Sequence, residues 1–514
     1  MLLKAKPLRF EARKPVVVLN KSDAADLGVK PLDRVEIKAD GRKETAIVNV
    51  AEKFVQPGWI GLYSRVQEEL GITAGRPLKV SPSSPPQSLA FIKKRLAGNA
   101  LEPDEIRKII RDVVDERLSE IEVTSFVISL YHNKMDMKEA AAMAAAMAAT
   151  GEQLDLGNKT VYDKHSIGGI PGDKTSMLVV PVVAAAGLAI PKTSSRAITA
   201  PAGTADRMEC LCPVDLDLEE IKAVVRKTNG CLVWGGAVDL APADDTFIRI
   251  EYPLSIDPLL LPSVMSKKKA VNAKYVVIDI PTGRGAKIKS VVDAEGLADQ
   301  FIELGKKLGM KISCVSTFGE QPIGYGVGPA LEAREALRAI SNPKNAPRDL
   351  LEKVVRLSGE LFDFARMKNP DKAALDMLNS GKAEKKLRQI IEAQGGDPKI
   401  KPEDVPVGAK KATIKSSKPG KVWWINNAAV IEAARAAGAP NDKGAGILFH
   451  RKIGDAVRKG EILFEIYAEK GAKLERALSI AGSLDVMGVS RKLEMVMAEI
   501  PEEKDHERYF ILER

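Results

Sequence analysis

The first 80 residues alternate apolar and polar positions in short runs separated by turns. The runs PVVVLN, RVEIKAD, TAIVNV and LKVSP follow the period of two that is typical of strands with one buried face. Asp40-Gly41 is a turn signal between two of these runs. The pattern predicts a β-rich domain over residues 1–84, next to a proline- and serine-rich linker, SPSSPPQS, at 81–88.

From Leu89 to about Thr150 the apolar positions recur at three- and four-residue spacing, which predicts helices. In PDEIRKIIRDVVDERLS, Pro103 stands where a helix is expected to begin. The alanine- and methionine-rich run MDMKEAAAMAAAMAAT indicates close helix packing rather than a cofactor site. This part of the chain is therefore predicted to be helical.

After residue 150, predicted strands and helices alternate. TVYDKHS, AGLAIPKTSS, YVVIDIPTG and MKISCVSTFGE have the pattern of buried parallel strands that lead into loops rich in glycine, serine and threonine. Amphipathic segments such as DAEGLADQFIELGKKLG separate them. The arrangement predicts an α/β domain whose ligand site lies at the carboxyl ends of the strands. A polar stretch near residue 410 separates it from a C-terminal part that contains the hairpin-like GILFHRKIGDAVRKGEILFEIYAE.

Charge and composition narrow the classes of function. The net charge of +9 comes from 78 basic and 69 acidic residues among 514, and aromatic residues make up only 5%. A nucleic-acid-binding protein more often clusters its basic residues and adds aromatic ones, so we expect no nucleic-acid partner. A solvated surface and the attraction of a small anionic substrate both remain open explanations of the charge.

The cysteine content and the hydropathy of the chain indicate where in the cell the protein is located. Four cysteines in so long a chain argue against a disulfide framework and for a reducing compartment. The longest apolar stretch, MLVVPVVAAAGLAIP, contains prolines and is shorter than the roughly 18 residues of a membrane-spanning helix. The N-terminal MLLKAKPLRF has a charge at its fourth residue and lacks the apolar core of a signal peptide. We expect a cytoplasmic protein without a membrane partner.

The glycine-rich stretch KHSIGGIPGDKTS (164–176) is the first candidate site. It is not an ATP-type phosphate loop, because Gly172 is followed by Asp173 and the lysine comes one position late. It follows a predicted strand and leads into a predicted helix, so its amides should form an anion site to which Lys164, Ser166 and Ser176 add a charge and two hydroxyls. A glycine-rich turn that binds nothing is the alternative. His165 is either structural or a donor to sugar or phosphate oxygens.

Two further loops and one helix carry candidate chemistry. PKTSSRAITAPAGTADRMEC (191–210) combines many hydroxyl groups with Arg196, which suits a phosphate, although a plain polar loop is the alternative. In IEYPLSIDPLLLPSVMSKKKA, Ser263 and Lys267 share a helix face downstream of Asp257, while the lysine run taken alone is more typical of a solvated face. VVIDIPTGRGAKIK ends a strand in glycines and Lys287. Cys210-Leu-Cys212 has no second pair, so no metal site is predicted.

Together these segments resemble the thymidine phosphorylase family, the nucleoside phosphorylases with a KHSxGGxGDK loop and an SxMSKK helix. The glycine loop is one residue longer than usual, TSSRAIT replaces a glycine-rich stretch, and an additional domain of about 80 residues precedes the helical region. These features resemble most the archaeal branch of the family that acts on AMP. The resemblance also includes QPIGYGVGPALEAREAL (321–337) and the C-terminal hairpin, so it extends over nearly the whole chain.

The resemblance implies phosphorolysis: AMP and inorganic phosphate give adenine and ribose 1,5-bisphosphate, with CMP and UMP as further substrates. Phosphate is the co-substrate, and neither a metal nor another cofactor is implied. Asp257 matches the family's proton donor, with His165 and Lys267 beside it in the catalytic group, so we expect burial to raise the pKa of Asp257. The substrate-binding residues implied are Lys164, Ser166, Gly168, Gly169, Ser176, Ser194, Ser195, Arg196, Ala197, Ile198, Thr199, Thr204, Ser263 and Lys287.

The resemblance also implies an α/β architecture of four parts that assembles as a homodimer or larger homo-oligomer through the helical lobe. The parts are an N-terminal β-rich domain (1–84), a small helical domain (86–158, with about 245–275 returning to it), a large α/β phosphate-binding domain (159–244 and 276–405) and a C-terminal α+β barrel-sandwich domain (410–503). The alternatives are a thymidine or other pyrimidine-nucleoside phosphorylase, a metal-dependent phosphoribosyltransferase, and a basic scaffold that binds nucleic acid.

Overall fold

The N-terminal residues form a closed barrel in which every strand has two neighbours. The structure is a computed structural model that describes residues 1–8, 10, 14–197 and 200–491. The elements of this part are β1 (Leu2–Pro7), β2 (Val16–Asn20), α1 (Lys21–Leu27), β3 (Arg34–Ala39), β4 (Arg42–Ala51), β5 (Trp59–Leu62), α2 (Ser64–Leu70) and β6 (Pro77–Ser83). The strand order is β1-β5-β2-β4-β3-β6. Alternate residues such as Val17 and Leu19 fill the interior, which accounts for the period of two.

A helical lobe follows the barrel. Its elements are α3 (Gln87–Leu96), α4 (Pro103–Val114), α5 (Glu120–His132) and α6 (Met137–Ala149). The alanine- and methionine-rich α6 buries Met143 and Met147 in the core of this lobe, as expected for close helix packing. The later helix α10 (Pro242–Leu254) joins the same core, where the rings of Phe247 and Phe126 lie 6.2 Å apart.

The largest part of the chain is an α/β domain. Its remaining elements are β7 (Val161–Ser166), α7 (Ser176–Ala185), β8 (Ile190–Ser194), α8 (Thr204–Met208), α9 (Leu218–Thr228), β9 (Gly230–Trp234), α11 (Leu260–Ala270), β10 (Ala273–Thr282), α12 (Val291–Leu308), β11 (Lys311–Phe318), β12 (Gly326–Val327), α13 (Pro329–Ser341), α14 (Arg348–Phe364), α15 (Pro370–Asn379) and α16 (Lys382–Ala393).

Parallel strands organise this domain. β11, β10 and β7 form one parallel sheet, β8 and β9 pair in parallel, and a parallel bridge between Val161 and Ala189 brings the two sets side by side. Helix α7 is apolar on all faces and buried, because strands β8 and β9 and helices α13 to α16 pack around it. The carboxyl ends of β7, β8 and β10 therefore meet at one edge, where α10 and α11 of the neighbouring layer lie.

The C-terminal part is an α+β domain, whose described residues, up to 491, form two small sheets and two helices. Its elements are β13 (Lys410–Lys415), β14 (Gly420–Ile425), α17 (Asn427–Ala436), β15 (Gly446–Phe449), β16 (Ala456–Val457), β17 (Ile462–Ala468), α18 (Gly471–Ser483) and β18 (Met487–Ser490). β12 of the preceding domain pairs with β15 and so joins the larger sheet. The fold class expected from the sequence is confirmed, while the predicted end of this domain at 503 lies outside the described residues.

The described residues contain no helix that is both long and apolar enough to cross a membrane.

Lys174 connects the glycine loop to the start of the C-terminal sheet. Its side chain is fully buried, forms an ion pair with Glu335 of α13, and donates to the carbonyls of Ile323 (2.8 Å) and Gly326 (3.0 Å). Lys174 thus points away from the open side of the glycine loop and stabilises the packing of the domain.

We predict that Glu335→Ala lowers the free energy of unfolding by about 3–5 kcal/mol, because it leaves the Lys174 ammonium buried without a counter-ion. Urea unfolding followed by circular dichroism measures the change. Glu352→Ala, which removes one partner of the exposed pair Arg348–Glu352, is the control and should change stability far less. Equal effects of the two substitutions would contradict the structural role of Lys174.

Candidate active site

A cavity of about 520 Å³ lies at the carboxyl ends of β7, β8 and β10, between the sheet and helices α10 and α11. All four segments singled out in the sequence contribute to its wall. Predicted site residues that line it are Lys164, His165, Ser166, Gly168, Gly169, Ser176, Ser194, Ser195, Arg196, Ala197, Thr204, Asp257, Ser263, Lys267 and Lys287. Ile198 and Thr199 lie outside the described residues. The volume is in the range of small-molecule sites.

The glycine loop has left-handed backbone where it borders the cavity. Gly168 and Gly169 have φ of +79° and +91°. A Cβ on Gly169 would lie 2.9 Å from Cγ of Lys287, whereas nothing lies within 4 Å of the corresponding position on Gly168. Glycine is thus required at 169 both by backbone conformation and by the close approach of Lys287. Ser176 begins the ten-residue helix α7 just beyond the loop.

His165 lies among four lysines. Desolvation, together with the charges of Lys268, Lys192, Lys267 and Lys164, holds the pKa of His165 well below its ordinary value. The imidazole is therefore neutral at neutral pH and has one N–H that can donate to a bound anion or sugar hydroxyl.

Two hydroxyl groups at the end of β8 have no protein partner. Thr193 Oγ1 and Ser194 Oγ are buried and make no hydrogen bond within the described part of the chain. The loop that follows is fixed by Asp206, which accepts hydrogen bonds from the N–H groups of Ala197 (2.7 Å) and Gly203 (2.8 Å). Both residues line the cavity, although the two oxygens themselves are enclosed by the protein.

The sequence suggested that the guanidinium of Arg196 is free to bind a phosphate, but in the structure it is held by protein groups. Its two terminal nitrogens donate to Glu209 at 2.8 and 2.7 Å, one of them also to Asp215 at 3.1 Å, and the group stacks over Trp234. These carboxylates already supply the bidentate partner that a phosphate would otherwise be. Arg196 lines the cavity, but in this arrangement it is held by the protein.

The lysine run of α11 is not a solvated face. Lys268 is 1% exposed and pairs with the buried Asp163 of β7 at 2.6 Å, and Lys267 pairs with the buried Asp244 of α10. Despite desolvation, Asp244 keeps the pKa of Lys267 above its ordinary value. Lys267 is therefore a stable positive charge on the face that it shares with Ser263, and only Lys269 is exposed.

Asp257 is not buried as we expected for the proton donor. Its side chain is 43% exposed, and Oδ2 lies 3.3 Å from Nζ of Lys287. The buried acid of the cavity is Glu251, six residues earlier on α10, whose Oε1 accepts from the N–H of Leu259 at 3.2 Å. Burial and the nearby charge of Asp257 raise the pKa of Glu251 to about 7. The environment expected at Asp257 thus occurs at Glu251.

The charged cavity residues that sequence reasoning missed include Glu251 and Lys192, as well as Arg207 and Lys268. Glu251 belongs to IEYPLS, shortly before Asp257, where a single carboxylate between an aliphatic and an aromatic residue was not recognised as buried. Lys192 is the one charged residue in AGLAIPKTSS, at the end of a predicted buried strand. A charge at the carboxyl end of such a strand is the signal that could have identified it.

Family comparisons place the helical, α/β and C-terminal parts of this architecture in known classes. The helical bundle domain of a glycosyl transferase family matches residues 89–151, and the α/β domain of the same family matches residues 158–384. The C-terminal domain of pyrimidine nucleoside phosphorylases matches residues 422–482. The fold and the site thus define a glycosyl transferase of the nucleoside phosphorylase type.

The chain belongs to the AMP phosphorylase family. The AMP phosphorylase of Thermofilum pendens is 48% identical over 475 residues, which cover 92% of each chain. That of Thermococcus kodakarensis is 49% identical over 470 residues, covering 90% of this chain and 93% of the relative. AMP phosphorylase 1 of Archaeoglobus fulgidus is 46% identical over 94% of this chain and 96% of its own. The resemblance inferred from the motifs is confirmed.

A solved structure shares the fold of the central part. Anthranilate phosphoribosyltransferase from Thermus thermophilus superposes with a TM-score of 0.51 at 18% identity, covering 59% of this chain and 98% of its own. At this identity the likeness concerns the fold alone.

We predict that Gly169→Ala loosens the contact between the glycine loop and Lys287. The control is Gly187→Ala, which has a similar φ of +87° but nothing within 4 Å of its Cβ position. Both substitutions carry the left-handed backbone cost of about 1–2 kcal/mol, and only Gly169→Ala adds a steric overlap. The melting temperature and the affinity for sulfate should both be lower in Gly169→Ala than in Gly187→Ala. Equal values for the two variants would contradict the close approach of Lys287 to Gly169.

Proposed function

We propose that this protein catalyses the phosphorolysis of nucleoside 5′-monophosphates, converting AMP and phosphate to adenine and ribose 1,5-bisphosphate, with CMP and UMP as further substrates. The observation that carries the proposal is the cavity, because cationic and hydroxyl-bearing residues from separate segments line a space large enough for a nucleotide. The family membership supports the same activity, because the relatives named above are AMP phosphorylases.

The reaction requires an anion to be aligned with the sugar. An oxygen of phosphate attacks C1′ of the ribose while the C1′–N bond breaks, and the electron pair of that bond goes to the base, whose nitrogen takes a proton. Lys164, Ser166 and the amides of the glycine loop line one end of the cavity and would hold the phosphate. The alignment of both reactants accounts for much of the rate acceleration of such a displacement.

The proton for the departing base comes from the Glu251–Asp257 pair. Like charges at close range cannot both ionise freely, so one of two neighbouring carboxyls keeps its proton to a higher pH. Glu251 is the buried member, with its pKa raised to about 7, and Asp257 is the member that Lys287 orients at the cavity wall. Glu251 thus holds a proton near neutral pH, and we propose that Asp257 relays it to the base.

The remaining properties proposed are a homodimeric or larger assembly in the cytoplasm, with no resident metal or other cofactor. Large apolar side chains on the helical lobe, Ile121 (62% exposed) and Tyr131 (50% exposed) of α5, support a subunit contact there. The four cysteines are free, which fits a reducing compartment.

The activity is tested by measuring release of free base from AMP and from adenosine, each with phosphate. AMP should be the far better substrate, because the proposed site binds a 5′-phosphate, and EDTA should leave the rate unchanged. Equal rates with adenosine would favour a nucleoside phosphorylase instead. Loss of activity in EDTA would contradict the cofactor-free mechanism.

We predict that kcat/KM for AMP falls as the pH rises above about 7, because Glu251 loses its proton there. Asp257→Asn and Glu251→Gln should each lower kcat by about 10²- to 10⁴-fold, the usual contribution of a general acid. Glu251→Gln should also abolish the fall at alkaline pH. An unchanged pH profile in Glu251→Gln would show that Glu251 only supports the loop of Asp257.

A further inference from the structure

Arg196 borders the cavity, but three carboxylates hold its guanidinium. Nη1 and Nη2 donate to Glu209 at 2.8 and 2.7 Å, and Nη2 also donates to Asp215 at 3.1 Å. The third carboxylate is Asp206, whose Oδ1 lies 3.7 Å from Nη1. These carboxylates compete with any bound phosphate for the same cation.

Lys443 of the C-terminal domain shares two of these carboxylates. Its Nζ lies 2.5 Å from Oε2 of Glu209 and 3.4 Å from Oδ1 of Asp206. Lys443 stands in the turn between α17 and β15, and its carbonyl accepts a hydrogen bond of 3.0 Å from the N–H of Ala330 at the start of α13. A cation from another domain thus reaches the carboxylates around Arg196.

Asp206 connects this cation to the segment that follows β8. The carboxylate is buried, and its Oδ2 accepts hydrogen bonds from the N–H groups of Ala197 and Gly203, while its Oδ1 faces Lys443 and Arg196. Lys443 therefore acts both on the charge around this segment and on the side chain that fixes its backbone.

The charges of this cluster do not cancel. Three carboxylates, Asp206, Glu209 and Asp215, face two cations, Arg196 and Lys443, so one negative charge remains in excess. Hydrogen bonds from Arg196 and Lys443 lower the pKa of Glu209 to about 2, so this carboxylate is ionised at neutral pH. Without Lys443 the excess would be two negative charges, beside a cavity that has to accept an anion.

We propose that Lys443 is a positioning residue for the nucleotide: it offsets the carboxylates that hold Arg196, and so allows Arg196 to attract the 5′-phosphate. The inference rests on the proposed function, because it takes the 5′-phosphate of AMP as the anion beside Arg196. The described residues that line the cavity do not include Lys443, so it acts through Arg196 and Asp206 and not on the substrate directly. Nucleotide binding thus depends on a residue of the C-terminal domain.

The first test is calorimetric titration of Lys443→Met and Lys473→Met with AMP in the absence of phosphate. Lys473 of α18 is the matched control, because its side chain is 38% exposed, against 35% for Lys443, and it pairs with Asp442 at 2.6 Å. Lys443→Met should weaken AMP binding by about 3- to 10-fold, somewhat more than the effect of a fully exposed ion pair. Lys473→Met should bind AMP like the wild type, and equal affinities of the two variants would overturn the proposal.

A second substitution separates the effect of charge from that of packing. When Lys443→Met is combined with Glu209→Gln, the cluster returns to one excess negative charge, so AMP affinity should return close to that of the wild type. Lys443→Arg keeps the charge and should also bind AMP like the wild type. A double variant as weak as Lys443→Met would show that Lys443 only supports the fold, and would overturn the proposal.

Steady-state kinetics show which reactant is affected. In Lys443→Met the KM for AMP should rise, whereas kcat and the KM for inorganic phosphate should stay close to those of the wild type, because the glycine loop holds that phosphate. A selective rise in the KM for inorganic phosphate would overturn the proposal.

The same measurements separate this inference from the proposed function. If AMP binding depends on Lys443 but the wild type releases no adenine, the proposed function fails and the inference stands. If AMP is cleaved with the same KM in Lys443→Met and Lys473→Met, the inference fails and the proposed function stands.

Discussion

The pairing of buried charges is the constraint on which the rest of this structure depends. Parallel strands end at one edge of the sheet with lysines on β7 and β8, and these charges cannot remain there without anions. Most cations around the cavity are paired with a carboxylate from another element, such as Lys268 of α11 with Asp163 of β7 and Lys267 of α11 with Asp244 of α10. The cavity wall therefore has uncompensated positive charge only where a cation lacks a carboxylate partner.

The same ion pairs assemble the two layers around the cavity. The Lys268–Asp163 pair joins α11 to strand β7, and the Lys287–Asp257 pair joins the loop after β10 to the loop between α10 and α11. Helix α10 in turn packs its apolar residues into the helical lobe. A ligand between sheet and helices would thus touch residues whose positions depend on both layers, which is how closure of such a cleft and catalysis can be coupled.

Periodicity predicted the architecture and the location of the site well. Strand ends such as Lys164 and helix faces such as Ser263 with Lys267 follow directly from spacing along one element. The ion pairs and the burial of each side chain could not be predicted in this way, because they depend on partners distant in sequence. Arg196 is held by Glu209 and Asp215, Asp257 proved exposed, and Glu251 proved buried through packing against the segment at Leu259. No local pattern records which cation will lack a counter-ion, so the lack of an ion pair to Lys192 among the described residues could be seen only in the structure.

The most direct measurement is a crystal structure of the protein soaked with AMP and sulfate. The account predicts a ribose in the cavity between the glycine loop and α11, with one anion on each side of it. Density for the nucleotide elsewhere, with the cavity holding neither anion, would contradict the assignment of this cavity as the site of reaction.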